Sequence, residues 1–153
     1  MGVTQVNIKL LKNGIMPTKG SDGAAGYDLY VPQDTIVPHG RSVIKLGFAM
    51  QLPAGFKAEI QPRSGYSSKG FEGFSLIGQE RRFNCDVKYG LIDEDFRGEV
   101  GVIVKNDGPT FTIRRKQRIA QMVISKVPET YFSEVDSLDE TERGEGGFGS
   151  TGK

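Results

Sequence analysis

The sequence has one cysteine, one histidine, no tryptophan and almost no excess of charge. Each shortage excludes something. A lone thiol, Cys85, closes no intramolecular disulfide and fits a reducing compartment. With no histidine near it in sequence, it reads as a buried structural thiol rather than a nucleophile. His39, in Val37-Pro-His-Gly40, reads as an exposed loop residue at a Pro/Gly turn, and no Cys/His cluster has the spacing of a caged zinc. Twenty Lys+Arg against nineteen Asp+Glu leave a formal net charge of +1. No nucleic-acid or membrane partner is therefore expected, and any phosphate binding must be local, made by a few placed cations and amides. No apolar run is long enough to span a bilayer and no N-terminal signal pattern is seen, which gives an expectation of a cytoplasmic protein. Helical periodicity is nearly absent, and the glycines form no Walker A loop.

What the chain does have is punctuation. Among 153 residues, 21 glycines and 7 prolines separate short β-prone runs at 6–11, 27–31, 43–52, 56–61, 99–105, 110–113 and 118–125. Val100, Val102 and Val104 alternate with Gly101, Ile103 and Lys105, the pattern of a strand buried on one face. One helical turn or two is expected around 64–69. The fold class is all-β: a distorted, jelly-roll-like barrel or sandwich with one short helix and an extended C-terminal arm. Residues 1–126 form the expected barrel domain. From 127 to 142 six acids accompany few residues able to enter a core, so 127–153 is read as an arm that carries a terminal flap.

That flap, Arg143-Gly-Glu-Gly-Gly-Phe-Gly-Ser-Thr-Gly-Lys153, mixes five glycines, one ring, two hydroxyls and a guanidinium. Glycine-dense backbone can turn N–H groups toward an anion, with Ser150 and Thr151 adding donors beside Gly149. Arg143 can fork onto phosphate oxygens, and Phe148 offers a face for a base. A disordered tail is the bland alternative, but repeats and a run of one charge sign are missing.

Three further segments carry chemistry. Asp28, in Gly23-Ala-Ala-Gly-Tyr-Asp-Leu-Tyr-Val31, either caps a turn or holds a metal's water shell. Pro62-Arg-Ser-Gly65 follows a strand and opens the short helix, so Ser64 is either a simple N-cap or part of an anion site. Gly90-Leu-Ile-Asp-Glu-Asp-Phe-Arg-Gly98 places three acids on one turn. They are either solvated hairpin acids or include a general base, for which Asp93 is favoured because it follows Leu91 and Ile92. Glu94 is expected to be solvated, and Asp95 to pair with Arg63 or Arg97.

In their fixed order these segments resemble the five motifs of the trimeric dUTPase family. They run Ala25-Gly-Tyr-Asp-Leu29, Pro62-Arg-Ser-Gly65, Gly90 to Gly98, Arg118-Ile-Ala-Gln121 and Arg143 to Gly152. The resemblance covers about 23–152. It implies a homotrimer that cleaves dUTP to dUMP and pyrophosphate with Mg²⁺, limiting uracil in DNA and supplying dUMP. By that resemblance Asp93 activates a water for in-line attack on the α-phosphorus, while Arg63, Ser64, Gly65 and Gln121 lie against the phosphates. Asp28 reaches the hydrated Mg²⁺ through water. Arg143, Ser150 and Thr151 clamp the polyphosphate, and Phe148, next to Gly149, stacks on uracil. The backbone around Val87, Gly90, Leu91 and Ile92 reads the pyrimidine edge, and each site draws on three chains, one chain's arm closing a neighbour's site. A viral member of such a family would act in the host cytoplasm.

Three departures from the family pattern stand out. Phe96 replaces the usual Tyr, which keeps a ring for the deoxyribose but loses a phenol. Residues 71–82 look like an ordered insertion, read as a surface elaboration, part of the site mouth, or a surface for a regulatory protein partner. Lys116-Gln117 replaces a glycine and an acid before the fourth motif. A dCTP deaminase shares the fold, but it needs a glutamate where this chain has Asp93.

Overall fold

Glycine and proline cut the chain into strands of two to nine residues, too short for any one of them to be stable outside a sheet. The computed structural model describes residues 2–149. β1 (Asn7–Leu10), β2 (Thr18–Lys19), β3 (Tyr27–Tyr30), β4 (Thr35–Val37), β5 (Gly40–Lys45), β6 (Phe48–Gln51) and β7 (Phe56–Gln61) precede the helix α1 (Ser64–Lys69). After it come β8 (Phe71–Phe74), β9 (Glu80–Phe83), β10 (Cys85–Val87), β11 (Gly90–Ile92), β12 (Gly101–Asn106), β13 (Phe111–Ile113) and β14 (Arg118–Lys126). The sheets run β11-β7-β14-β3-β2, β4-β13-β8-β9, β10-β12-β5 and β1-β6, with antiparallel pairing throughout. The all-β, jelly-roll-like class is the one expected. The single run expected at 43–52 is two strands: Gly47 breaks it, accepting from the Leu11 amide at 2.8 Å and donating to Glu99 Oε2 at 2.9 Å.

Period-two alternation decides the core. Val102, Val104 and Asn106 of β12 point inward while Gly101, Ile103 and Lys105 face out, as the alternation predicts. Leu29, Leu46, Phe48, Phe111, Ile113 and Ile119 are fully enclosed, each such burial contributing about 1.5–3 kcal/mol. Cys85 is buried as well, and burial pushes its thiol up to about 12, with Asp86 and Asp107 adding to the shift. It stays protonated at neutral pH and is no nucleophile.

Residues 71–82 are more than an elaboration. β8 and β9 form a hairpin whose base is core: Phe71 and Phe83 are buried. Phe83 stacks on Phe111 at 4.2 Å, and Phe71 bridges Phe111 to Tyr66 of α1. Gln117 ties this corner together, its amide donating to the Tyr66 hydroxyl at 2.9 Å and to the Glu72 carbonyl at 2.7 Å. The tip, with Leu76 and Ile77, is exposed.

Asn106 is the buried polar residue among the described ones. Its amide donates to the carbonyls of Pro109 and Pro38 at 3.0 and 3.2 Å, and its oxygen accepts from the Gly108 amide at 3.0 Å. Replacing it by Leu (N106L) keeps the volume but orphans those backbone groups, each costing about 1–3 kcal/mol. Denaturant unfolding should show N106L less stable by about 2–4 kcal/mol. Lys116 sits at φ +75°, which explains why a glycine is usual before the fourth motif. Lys116→Gly should relieve about 1 kcal/mol of backbone strain, part of it offset by the freer unfolded chain. The same unfolding assay should find it equal to or slightly more stable than the parent.

Candidate active site

β14 pairs with β3 through its first half and with β7 through its second, the two ladders overlapping at Gln121 and Met122, and this places the site. Gln121 lies opposite Asp28 of β3 on one side and Gln61 of β7 on the other. β7 then runs straight into Pro62-Arg63, so the first, second and fourth motifs meet at one mouth of the five-stranded sheet. Asp28 is largely shielded, its side chain 19% exposed, and lies between two guanidinium groups. Arg118 Nη1 is 3.5 Å from Asp28 Oδ2, and Arg63 Nε is 4.0 Å from Oδ1. Gln121 donates its side-chain amide to the Pro62 carbonyl at 3.0 Å, which fixes the start of the second motif. Arg118, not among the expected site residues, is thus part of this cluster; the signal was its place at the head of the fourth motif.

Arg63 is the backbone N-cap of α1 and makes no side-chain cap bond, so Ser64 and Gly65 stand exposed in the first turn with the Ser64 hydroxyl uncommitted to capping. The guanidinium of Arg63 also lies over the Tyr66 ring at 5.3 Å.

The third motif is built differently. β10 and β11 are both edge strands, belonging to different sheets, and the chain changes sheets between Val87 and Gly90. Each edge leaves backbone donors and acceptors outside its own ladder, the arrangement with which a strand can read a flat polar partner. Within this segment Val87 and Ile92 are buried, and Leu91 is exposed. Tyr89, beside them, donates its hydroxyl to Glu59 Oε2, and that hydrogen bond holds the phenol above its usual range.

Asp93 follows Ile92, whose ladder partner is Ala58. Its carbonyl accepts from the Phe96 amide at 3.2 Å, closing a turn, and its side chain is exposed. Of the neighbouring acids, Glu94 is solvent-exposed as expected. Glu94 accepts from the Gly55 amide at 2.8 Å. The arginines expected beside Asp95 lie elsewhere, Arg63 at Asp28 and Arg97 on the carbonyls of Glu94 (2.7 Å) and Phe96 (3.2 Å). The Phe96 ring rests on Gly98: a Cβ there would meet the ring at 2.8 Å.

Within one chain Asp93 and the Arg63 mouth stay apart. Ala58 and Arg63 are five residues apart along β7 and its extension, about 16 Å at strand rise. After Lys126 no strand follows among the described residues, and Tyr131, Phe132 and Leu138 are exposed. Arg143 donates to the Gly146 carbonyl at 2.6 Å, curling the flap on itself, and Phe148 and Gly149 have positive φ with Phe148 fully exposed. Ser150 and Thr151 lie outside the described residues. Among the described residues no group of three or more His, Cys, Asp or Glu side chains is placed to hold a metal ion.

Comparison with known proteins matches the architecture. The dUTPase family model fits residues 12–152. The human mitochondrial deoxyuridine 5'-triphosphate nucleotidohydrolase is 42% identical over 95% of this chain, which spans 53% of that protein's length. The monkeypox virus deoxyuridine 5'-triphosphate nucleotidohydrolase is 44% identical over 89% of this chain and 82% of its own. A structure of the Staphylococcus bacteriophage 80alpha dUTPase with dUpNHpp superposes with a TM-score of 0.81 at 26% identity, covering 99% of this chain and 100% of that one. With five motifs in order, three of them meeting on one sheet, and a family match over nearly its whole length, this chain belongs to the dUTPase family.

Proposed function

We infer that the chain is a dUTP diphosphatase, hydrolysing dUTP to dUMP and pyrophosphate at sites shared between subunits. The observation that carries this is the cluster of Asp28, Arg63, Arg118 and Gln121 at one sheet mouth of a dUTPase-family chain. Two guanidinium groups flanking one shielded carboxylate suit a triphosphate, whose oxygens can take over the cations that Asp28 now holds.

Asp93 serves as general base. It takes a proton from a water as the oxygen bonds to the α-phosphorus, the bond from that phosphorus to the bridging oxygen breaks, and pyrophosphate leaves. Ser64, Gly65 and Gln121 position the phosphates, and Arg143, Ser150 and Thr151 clamp them when the flap closes. Val87 and the edge of β11 at Gly90, Leu91 and Ile92 read the pyrimidine, with Phe148 stacked on it and Phe96 against the deoxyribose. Mg²⁺ fits as a companion of the substrate: Asp28 offers hard oxygen donors for its water shell, and the ion neutralises triphosphate charge.

The ~16 Å along the strand from Ala58, beside the Asp93 turn, to Arg63 supports a homotrimer in which different chains bring the base and the phosphate-binding residues to one α-phosphorus. Residues 127–153 act as an arm, and the uncovered Tyr131, Phe132 and Leu138 favour an arm that finds its cover, and the site it closes, on a neighbour. A regulatory protein partner is a second reading favoured only by the exposed Leu76 and Ile77; since Phe71 and Phe83 are core, its test is removal of the tip at 75–79, not of the hairpin.

Pyrophosphate release from dUTP with Mg²⁺ tests the main reading. Asp93→Asn should lower kcat about 10²- to 10⁴-fold, and a chain ending at Glu142 should lose most activity while remaining folded. No release from the intact chain would sink the hydrolase reading. Phe96→Tyr restores a phenol beside the sugar. It should raise the dUTP/UTP ratio of kcat/KM by about 2- to 10-fold, and an unchanged ratio would remove Phe96 from sugar discrimination.

A further inference from the structure

The turn that carries Asp93 is closed internally by the Phe96 amide and by Arg97 on two carbonyls. None of these bonds fixes the turn to the barrel. Among the described residues, the hydrogen bond that does so is Glu94 Oε1 accepting from the Gly55 amide at 2.8 Å. Gly55 lies in the β6–β7 connection at φ +83°, a conformation any other residue adopts with strain, so its amide is held at a fixed angle by the turn that also pairs the Phe56 amide with the Pro53 carbonyl.

The other face of the same residue is also in use. The Gly55 carbonyl accepts from the Val127 amide at 2.8 Å, one rung beyond the last β14–β7 pair, Lys126 opposite Phe56. Val127 is where the chain leaves the barrel as the arm, and Pro128 follows at once, holding Val127 to extended geometry. One glycine therefore grips the turn bearing the base through its N–H and the root of the arm through its C=O. A charged acceptor makes the first of these bonds strong for its class.

Resting on the reading of Asp93 as the base, we propose that Glu94 is a positioning residue that seats Asp93 by anchoring its turn on Gly55, and that Gly55 sets the base and the arm root together. Misplacement of a base by about 1 Å costs up to 10²-fold in rate, while a turn still closed by Arg97 limits the displacement. In steady-state assays of the full chain, Glu94→Ala should lower kcat about tenfold with KM for dUTP within about twofold. Glu94→Gln keeps a side-chain oxygen for the Gly55 amide and should recover to within about threefold of the parent. Val127→Pro removes the second bond, and its effect on kcat should be non-additive with that of Glu94→Ala.

Hydrogen exchange at the Gly55 amide supplies a readout independent of turnover: roughly tenfold faster in Glu94→Ala and protected in Glu94→Gln. An active parent with Glu94→Ala at parental kcat, or with Glu94→Gln as slow as Glu94→Ala, overturns the positioning role. Strict additivity overturns the link to the arm. No turnover by the parent overturns the hydrolase reading and this role with it, while unchanged Gly55 exchange in Glu94→Ala overturns the tie itself.

Discussion

β14 is the strand on which the rest of the molecule depends, because it is paired along both edges and each ladder fixes a different part of the site. Its pairing with β3 brings Asp28 level with Gln121, and its pairing with β7 brings the same glutamine level with Gln61, one residue before the second motif. A slip of one residue in either ladder would turn the Gln121 amide into the core and push Ala120 and Met122, now buried, out to the other face. The buried residues on the core face therefore enforce the register. The irregularity between Arg118 and Ala120 lets the strand keep its core contacts while Arg118 swings toward Asp28.

Much of this was legible because the residues involved are poor choices for a core. Asp28 among small residues, three acids after Leu91-Ile92 and glycines around Phe148 each break the pattern of their surroundings. The alternation of Val100, Val102 and Val104 likewise marked β12 and its inward face. What stayed hidden is non-local. Nothing near residue 94 announces that its carboxylate accepts from Gly55, 39 residues earlier, and nothing near Arg118 announces Asp28, 90 residues away. The core role of Phe71 was masked because it depends on a ring from β13, and a short strand such as Phe71–Phe74 has too few residues for its alternation to stand out.

Charge is distributed to match. A net +1 over 153 residues gives no long-range pull on an anion, yet two arginines converge on one largely shielded carboxylate. Held this way, the guanidinium groups are pre-positioned without being spent in a dry ion pair: the Asp28–Arg63 contact is 4.0 Å and Arg118 is half exposed. In the proposed site such a loose cluster would cost little to rearrange for phosphate oxygens, whereas a tight buried pair would resist it.

The segment from Cys85 to Ile92 belongs to two sheets at once. β10 is pinned by β12 and β11 by β7, so the connecting backbone at Lys88 and Tyr89 is held from both ends, with the Lys88 amide on the Ile103 carbonyl at 2.8 Å and the Tyr89 hydroxyl on Glu59. A backbone fixed in this manner can present a set pattern of donors and acceptors without relying on long, rotatable side chains. The same rigidity passes through Ile92 into the turn that bears Asp93. In the proposed site, base recognition and the catalytic carboxylate are therefore delivered as one unit by one chain, while the phosphate groups at Arg63 and Gln121 come from another. In that proposed arrangement a substrate bridging both elements would require the two chains to be in register before water is activated, which would make assembly a condition of catalysis.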